Sequence, residues 1–165
     1  MDHHLLRHSM GIINCYDEFV KNGVVEALCN KLPFDVIGNT TAGNSIAGHT
    51  GTMQLCLSVL TSDELEFETV MQECGTEDQA SDRVKESYLS TYRHRDEEPV
   101  LVYAIIPFFE NLGAEVLAQA LFEVVEDVPV YGGISCNHTI STEGAVTIYN
   151  GKVREDAVCL ALIYG

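Results

Sequence analysis

Residues 36–43, with the sequence VIGNTTAG, and residues 130–136, with the sequence VYGGISC, decide how this chain folds. Each segment is a short apolar strand that runs into glycine and small polar residues, and each follows a strand and a helix. The two segments are therefore the same part of a unit that occurs twice, over 12–73 and 102–165. A repeat of this kind constrains the fold more strongly than any single motif.

Anchor residues align the two copies at offsets of 90 to 94 residues, so only small gaps separate them. The anchor pairs are Phe19/Phe109, Gly23/Gly113, Ala27-Leu28/Ala120-Leu121, Gly38/Gly132 and Gly51/Gly144. Because the two glycine-rich strand ends are related by pseudo-symmetry, we expect them to face one cleft.

The order of elements predicts an α+β fold. Each copy is a strand-helix-strand-strand-strand repeat, in which the helix connects two parallel strands by a right-handed crossover. The later strands are antiparallel, so mixed β-sheets covered by helices result. Either a layered α-β-β-α sandwich or one continuous central sheet satisfies this pattern. A further helix at about 76–95 joins the copies.

Hydrophobic periodicity and turn residues predict the individual elements. Alternation over 52–60 and again over 65–73 indicates two strands that pair as a hairpin. Asn150-Gly151 is a strong hairpin signal between two further strands. The remaining predictions are a strand over 10–15, one helix over 17–31, a strand over 34–39, a loop over 44–51, a strand over 100–109, a helix over 115–125 and strands over 128–134, 144–149 and 153–163.

Composition indicates one soluble domain, with a tail over 1–11 and the domain over 12–165. Hydrophobic residues make up 46% of the 165 residues, and the first ten lack the apolar core of a signal peptide. No apolar run is long enough to cross a membrane. We therefore expect a cytoplasmic protein without membrane insertion. The chain ends at Gly165 directly after a strand, which favours one domain of a longer protein.

The net charge of −16 argues against nucleic acid as a partner, because phosphate backbones are bound by clustered Lys and Arg. Residues 63–98 hold 12 acids and 4 bases. This acidic face is either a solvated surface or a module that binds a basic protein. The six cysteines form no Cys-x-x-Cys pair, and we expect all of them to be reduced.

The two glycine segments are the candidate ligand site. Glycine at a strand end lets a ligand approach closely, and exposed backbone N–H groups there form concavities that hold an anion such as a carboxylate. The alternative is that both segments are tight turns that pack one half on the other. The candidate residues are Gly38, Asn39, Thr40, Thr41, Gly43, His49, Gly132, Gly133 and Ser135.

Other residues offer weaker alternatives. A hydrolase-type enzyme that uses Cys136 or a loop histidine is one alternative. A nucleophilic cysteine needs a basic partner, and His138 lies two residues after Cys136, but no third orienting group is evident. The histidines at positions 3, 4 and 8 are an incidental cluster rather than a metal site, and we predict no metal and no cofactor. The phenylalanines are interpreted as core, and a cleft mouth lined by Phe108-Phe109-Glu110 is the less favoured alternative.

In their joint order, these motifs resemble the FIST sensory domain (F-box and intracellular signal transduction). Residues 36–43 and the strand over 52–60 are similar to its opening block. The segments 129–133, 146–153 and 157–162 are similar to the closing block of its N-terminal half. The resemblance covers residues 12 to 165.

The resemblance implies a sensory domain of a bacterial signal transduction protein that binds a small ligand such as an amino acid or similar carboxylate. We interpret the chain as a domain that binds its ligand without catalysis. The resemblance also implies attachment to a C-terminal FIST half or to a signalling output domain in a longer parent protein.

Overall fold

The structure, a computed structural model, describes residues 5–46, 48–139 and 143–165. The elements in chain order are β1 His8–Cys15, α1 Asp17–Lys21, α2 Val24–Cys29, β2 Asp35–Thr40, β3 Asn44–Ile46, β4 His49–Gly51, β5 Leu55–Ser62, β6 Glu66–Glu73, α3 Glu77–Tyr92, β7 Leu101–Ile106, α4 Ala114–Val125, β8 Val130–Ile134, β9 Thr147–Tyr149, β10 Lys152–Arg154 and β11 Ala157–Tyr164.

The strands form two large sheets and one hairpin. Sheet one has the order β10-β9-β2-β1-β5, sheet two has the order β6-β11-β7-β8, and β3 pairs with β4. The pairs β1–β2 and β7–β8 are parallel, and each is connected through helix, as the repeat predicts. All other pairs are antiparallel. The α+β class with mixed sheets is therefore confirmed.

Three apolar clusters divide the molecule into α-β-β-α layers. One cluster, around Ile13 and Val36, packs sheet one against α1 and α2. A second, around Ile12 and Ile105, lies between the two sheets. The third, around Leu121 and Leu160, packs sheet two against α3 and α4. Of the two arrangements that the repeat allows, the chain adopts the layered sandwich.

The predicted hairpin over 52–73 does not form, although both of its strands exist. β5 pairs with β1 in sheet one, whereas β6 pairs with β11 in sheet two. The turn between them therefore crosses from one sheet to the other. Alternation identified both strands correctly, but each strand buries its apolar face against a different sheet.

The predicted single strand over 153–163 is also divided between the sheets. The hairpin at Asn150-Gly151 is present, but its second strand β10 ends at Arg154, and β11 begins at Ala157 in sheet two. β9 and β10 therefore extend sheet one with strands from the second copy. In the same way, β6 extends sheet two with a strand from the first.

Two local predictions also differ from the structure. The predicted helix over 17–31 is broken into α1 and α2 because Gly23, at the junction, has φ +72, a left-handed conformation that glycine adopts without steric cost. The predicted loop over 44–51 contains the β3–β4 hairpin.

Gly38 and Gly132 have the same structural role in the two copies. Gly38 lies beside Ile13 in the β1–β2 pair, and Gly132 lies beside Ala104 in the β7–β8 pair. A Cβ atom at either glycine would collide with the backbone carbonyl of that neighbour. The glycines thus allow each parallel strand pair to approach closely, which explains why they are anchors of the repeat.

Candidate functional site

The carboxyl ends of β2 and β8 are in direct contact, so the two glycine segments do meet. The Cys136 N–H donates to the Thr40 carbonyl at 3.0 Å. The Asn39 Nδ2 group donates to the Ile134 carbonyl at 2.9 Å. These bonds join sheet one to sheet two, and we call this contact the strand-end joint.

The side chains of Asn39 and Thr40, at the strand-end joint, form hydrogen bonds with other parts of the protein. Asn39 is buried, and its Oδ1 atom accepts a hydrogen bond from Asn14 Nδ2 at 2.6 Å. The Thr40 hydroxyl is fully buried, accepts from the Val146 N–H at 2.9 Å and donates to the Gly144 carbonyl at 3.3 Å. These two residues therefore hold the joint and the loop that precedes β9.

Backbone amides of the joint are also engaged within the fold. The Thr41 N–H donates to the Cys15 carbonyl, and the Ser135 N–H donates to the Ile106 carbonyl, both at 2.9 Å. The Gly43 N–H donates to the Thr41 hydroxyl. Ser135 Oγ is buried and has no hydrogen-bond partner among the described residues.

The remaining predicted residues lie at different places around the joint. Gly38 is buried between β1 and β9. Gly43 is exposed, and His49 is exposed on the separate β3–β4 hairpin. Gly132 and Gly133 are exposed on β8, the edge strand of sheet two.

A charged cluster lies after the carboxyl end of β1 and reaches the loop after β8. The carboxylate of Asp17 is 2% exposed, and its Oδ2 atom accepts from Lys21 Nζ at 2.6 Å. Its Oδ1 atom lies 3.2 Å from His138 Nδ1. The His138 ring packs against Tyr16 at a centroid distance of 4.9 Å. Asp17 is thus the orienting partner of His138.

The pKa of Asp17 is lowered overall. Burial raises it, but the hydrogen bonds and positive charges of Lys21 and His138 outweigh burial. Asp17 therefore remains a carboxylate that can hold His138 through Nδ1. Sequence reasoning missed Asp17, although an acid directly after a buried strand was a signal that could have revealed it.

An acidic cavity of about 440 Å³ opens at the same end of sheet two. It is located where β7 ends and the antiparallel β11 begins. Two aromatic rings and four carboxylates line the cavity, and its lining includes no Lys or Arg. The lining residues are Phe108, Phe109, Glu110, Glu143, Glu155 and Asp156. Phe109 packs against the core of sheet two, as predicted, but Phe108 and Phe109 are only partly buried and, with the exposed Glu110, they also form one wall of the cavity.

The predicted residues and the acidic cavity are connected by one loop. Asn137, in the segment after β8, donates a hydrogen bond from Nδ2 to the Glu143 carbonyl. Thr40 bonds to Gly144 and Val146, which follow Glu143. The strand-end joint therefore positions one wall of the acidic cavity, although it does not line the cavity itself.

Another cavity, of about 380 Å³, lies at the opposite end of the strands. Ser9 and Phe34 line it near the amino ends of β1 and β2, together with residues 5–8 of the tail. Ligands of open α/β sheets usually bind outside the carboxyl ends of the strands. We therefore treat the acidic cavity as the candidate ligand site.

The described residues include neither a metal-binding cluster nor a helix that could span a membrane. His3 and His4 lie outside them, and the described part of the chain contains no group of three His, Cys, Asp or Glu residues that could hold a metal. None of the helices described is both long and apolar enough to span a membrane.

Comparison with known protein families gives a match over most of the chain. The model of the FIST family, described as the FIST N domain, matches residues 9–165. This match includes both copies of the repeat, the strand-end joint and the acidic cavity. No curated protein matches the chain.

Proposed function

The chain belongs to the FIST family of signal-transduction sensory domains, and on that premise we propose that it binds a small ligand with a positively charged amino group in the acidic cavity. An amino acid is the ligand that we propose first. The observation that carries the proposal is the lining of the cavity, in which four carboxylates and two phenylalanine rings converge without a cation.

The chemistry of this lining favours an ammonium group over a carboxylate. Unpaired carboxylates attract a cation, and the faces of aromatic rings contribute a further cation–π attraction. A simple carboxylate would be repelled by the same residues. In this proposal an amino acid enters with its ammonium group toward Glu110, Glu143 and Asp156, and its carboxylate remains at the mouth.

The residues predicted from the sequence have a supporting role in this proposal. Thr40 and the segment after Ser135 hold the loop that carries Glu143. A ligand that binds Glu143 therefore also acts on the joint between the two sheets. Signalling to an output domain would require that the ligand prefer one of two states of this joint, since equal affinity shifts no equilibrium.

A thermal-shift screen with matched ligands tests the proposal. Each amino acid is compared with its N-acetyl derivative, which lacks the positive charge, and with the corresponding acid without an amino group. At 100 times its dissociation constant, a ligand adds about 2.7 kcal/mol, which corresponds to roughly 5–10 °C for a domain of this size. We expect the free amine to stabilise the protein and both derivatives to have no effect.

A variant pair locates the site. Glu143→Gln removes one carboxylate of the cavity and should weaken ligand binding at least about tenfold, as expected for the loss of a charge-assisted contact. Glu64→Gln makes the same charge change at an exposed turn between β5 and β6 and should leave affinity unchanged. Stabilisation by the carboxylates alone, or equal affinity in both variants, would contradict the proposal.

A hydrolase-type enzyme is a second candidate, and the Asp17–His138 pair favours it. In this pair Asp17 is the orienting group that the sequence analysis did not identify. Cys136 is partly buried, and no hydrogen bond joins it to His138 among the described residues. If His138 activates Cys136, alkylation of Cys136 at neutral pH will be faster than that of a free thiol and will slow in His138→Gln. Equal rates in both proteins would remove this candidate.

A further inference from the structure

β8 is an edge strand whose backbone has an open side. Within residues 5–46, 48–139 and 143–165 it pairs with β7 alone, in parallel register. The Val102 N–H donates to the Pro129 carbonyl, and the Ser135 N–H donates to the Ile106 carbonyl. Because backbone groups alternate along a strand, the odd-numbered residues between 129 and 135 face β7, and the even-numbered residues face away from it.

The open side is formed by Val130, Gly132 and Ile134. The Ile134 carbonyl already accepts the Asn39 side chain, so the strand-end joint covers that end of the strand. The donors and acceptors of Val130 and Gly132 face away from the sheet. An unpaired edge of this kind is a template for another strand.

The equivalent strand in the first copy shows which kind of strand fits. β2 corresponds to β8, and its open side is occupied by β9 in antiparallel register, with Ile148 opposite Gly38. Since Gly38 and Gly132 are equivalent, the β8 edge has the backbone form that accepts an antiparallel strand in this fold.

Charge distinguishes β8 from the charged edges of the two sheets. β6 carries Glu66, Glu68 and Glu73, and β10 carries Lys152 and Arg154. Charged side chains of this kind protect edges from pairing. Residues 128–139, in contrast, contain no Asp, Glu, Lys or Arg in a chain of net charge −16. A second, equally acidic copy can therefore approach here without contact between like charges on the two strands.

The order of residues on β8 is complementary to itself. In an antiparallel pair of two β8 strands with a two-fold axis at Gly132, Tyr131 of each copy lies opposite Gly133 of the other, and Val130 lies opposite Ile134. Tyr131 is 69% exposed, and nothing lies within 4 Å of a Cβ built at Gly133. An aromatic ring that covers a cross-strand glycine is a known way to stabilise sheet edges.

We propose that β8 is a dimerisation strand, which pairs with β8 of a second copy of this chain about a two-fold axis at Gly132. The two glycines exchange N–H···O=C hydrogen bonds, and each Ile134 N–H donates to the Val130 carbonyl of the other copy. Such an interface is isologous, with the same patch on both subunits. The dimer extends sheet two into one eight-stranded sheet.

β5, the other uncharged edge, offers no such complementarity. Its sequence, LCLSVLTS, has no glycine to accept an aromatic ring from a second copy. It does present Val59, which is 42% exposed. Val59 therefore provides a matched control position, because a charge placed there lies on an open sheet edge outside the proposed interface.

Analytical ultracentrifugation over a dilution series tests the dimer. We expect a monomer–dimer equilibrium. Its dissociation constant should decrease when NaCl is raised from about 0.05 to 0.5 M, because salt screens repulsion between two acidic copies. Gly133→Glu should raise the dissociation constant at least about tenfold, since a charge replaces the gap under Tyr131. Val59→Glu should leave it unchanged. A wild-type monomer at every concentration, or equal dimerisation in both variants, would overturn the proposal.

A second measurement places Tyr131 in the interface. The chain has no tryptophan, so Tyr131→Trp introduces a single emission signal and keeps an aromatic ring over Gly133. The emission should be blue-shifted in the dimer and should move to longer wavelength on dilution, with the midpoint found by ultracentrifugation. Emission that does not change while the dimer dissociates would place the interface elsewhere and overturn the proposal.

Discussion

At the level of single residues, Gly38 and Gly132 show most directly how the sequence determines the fold. Each permits the close approach of two parallel strands at a point where a Cβ atom would meet a carbonyl group. Both glycines therefore have a steric role in the fold, and the ligand contact that the sequence led us to expect of them stays a prediction. The equivalence also shows that the repeat preserves backbone geometry.

Alanine at either anchor glycine should destabilise the protein. Gly38→Ala and Gly132→Ala force the strands apart, and we expect a loss of about 1–3 kcal/mol or more in the free energy of unfolding. Gly133→Ala is the control, because its Cβ meets nothing, and it should change stability by less than about 0.5 kcal/mol. Urea unfolding measures all three. Similar midpoints for Gly132→Ala and Gly133→Ala would contradict the steric explanation.

Asp17 links the first strand end to the loop after β8, and its ionisation should stabilise the fold. Because its pKa is lowered below the ordinary value of 3.8, the carboxylate contributes stability above that pH and loses it as the pH falls through the lowered pKa. Asp17→Asn should therefore cost about 1–2 kcal/mol at neutral pH, a modest value because Lys21 is largely exposed.

The pH dependence separates this effect from a general loss of charge. The difference between wild type and Asp17→Asn should begin to shrink as the pH falls below about 4, where the carboxylate of the unfolded chain is protonated, and should be lost below the lowered pKa of the folded protein. Glu18→Gln, an exposed neighbour, should show no comparable change. A constant difference across the acid range would mean that Asp17 acts through packing alone.

At the level of elements, two strand exchanges hold the halves together. β6 leaves the first copy to extend sheet two, and the β9–β10 hairpin leaves the second copy to extend sheet one. Neither half can then complete its sheet alone. The acidic segment 63–98 includes β6 and α3, and part of its charge is neutralised within the fold rather than offered to a partner.

Arg95, three residues after the end of α3, ties the segment that follows this helix to β6. Its guanidinium contacts Glu66 at 2.7 Å and Glu68 at 3.3 Å, and it lies 4.4 Å from the ring centre of Tyr164. We expect Arg95→Ala to cost about 1–2 kcal/mol, from the ion pairs together with the cation–π contact. Thermal unfolding measures this loss.

Arg83, which lies within α3, provides the matched control. It pairs with Glu86 at 2.7 Å within α3, in an exposed i, i+3 arrangement. Such pairs contribute roughly 0.2–0.5 kcal/mol, so Arg83→Ala should hardly change the unfolding temperature. Equal losses in both variants would show that Arg95 does not join the elements.

At the level of the whole molecule, the four layers protect five of the six thiols. Cys136 alone is partly exposed, and the other five are buried. Burial raises the pKa of Cys15 and of Cys159 to about 12 and that of Cys74 to about 11. The thiolate, which is the reactive form, is therefore suppressed at these three positions.

Thiol labelling should therefore report the integrity of the sandwich. In native protein one thiol per chain should react with an aromatic disulfide reagent, and in denaturant all six should react. Cys136→Ser should abolish the native reaction and leave five thiols in denaturant. Reaction of any thiol in the native variant would show that the layers open at lower cost than their burial implies.

The sequence by itself determined the repeat, the two strand-helix-strand units with their parallel pairs, the mixed sheets and the family. These features depend on periodicity, turn residues and glycine positions, which act between near neighbours in the chain. Only the tertiary structure decided which sheet receives β6, β9 and β10, because pairing of distant strands depends on which apolar faces can be buried together. It likewise decided that Asn39 and Thr40 of the joint form internal hydrogen bonds. It also brought acids from three separate segments to one cavity.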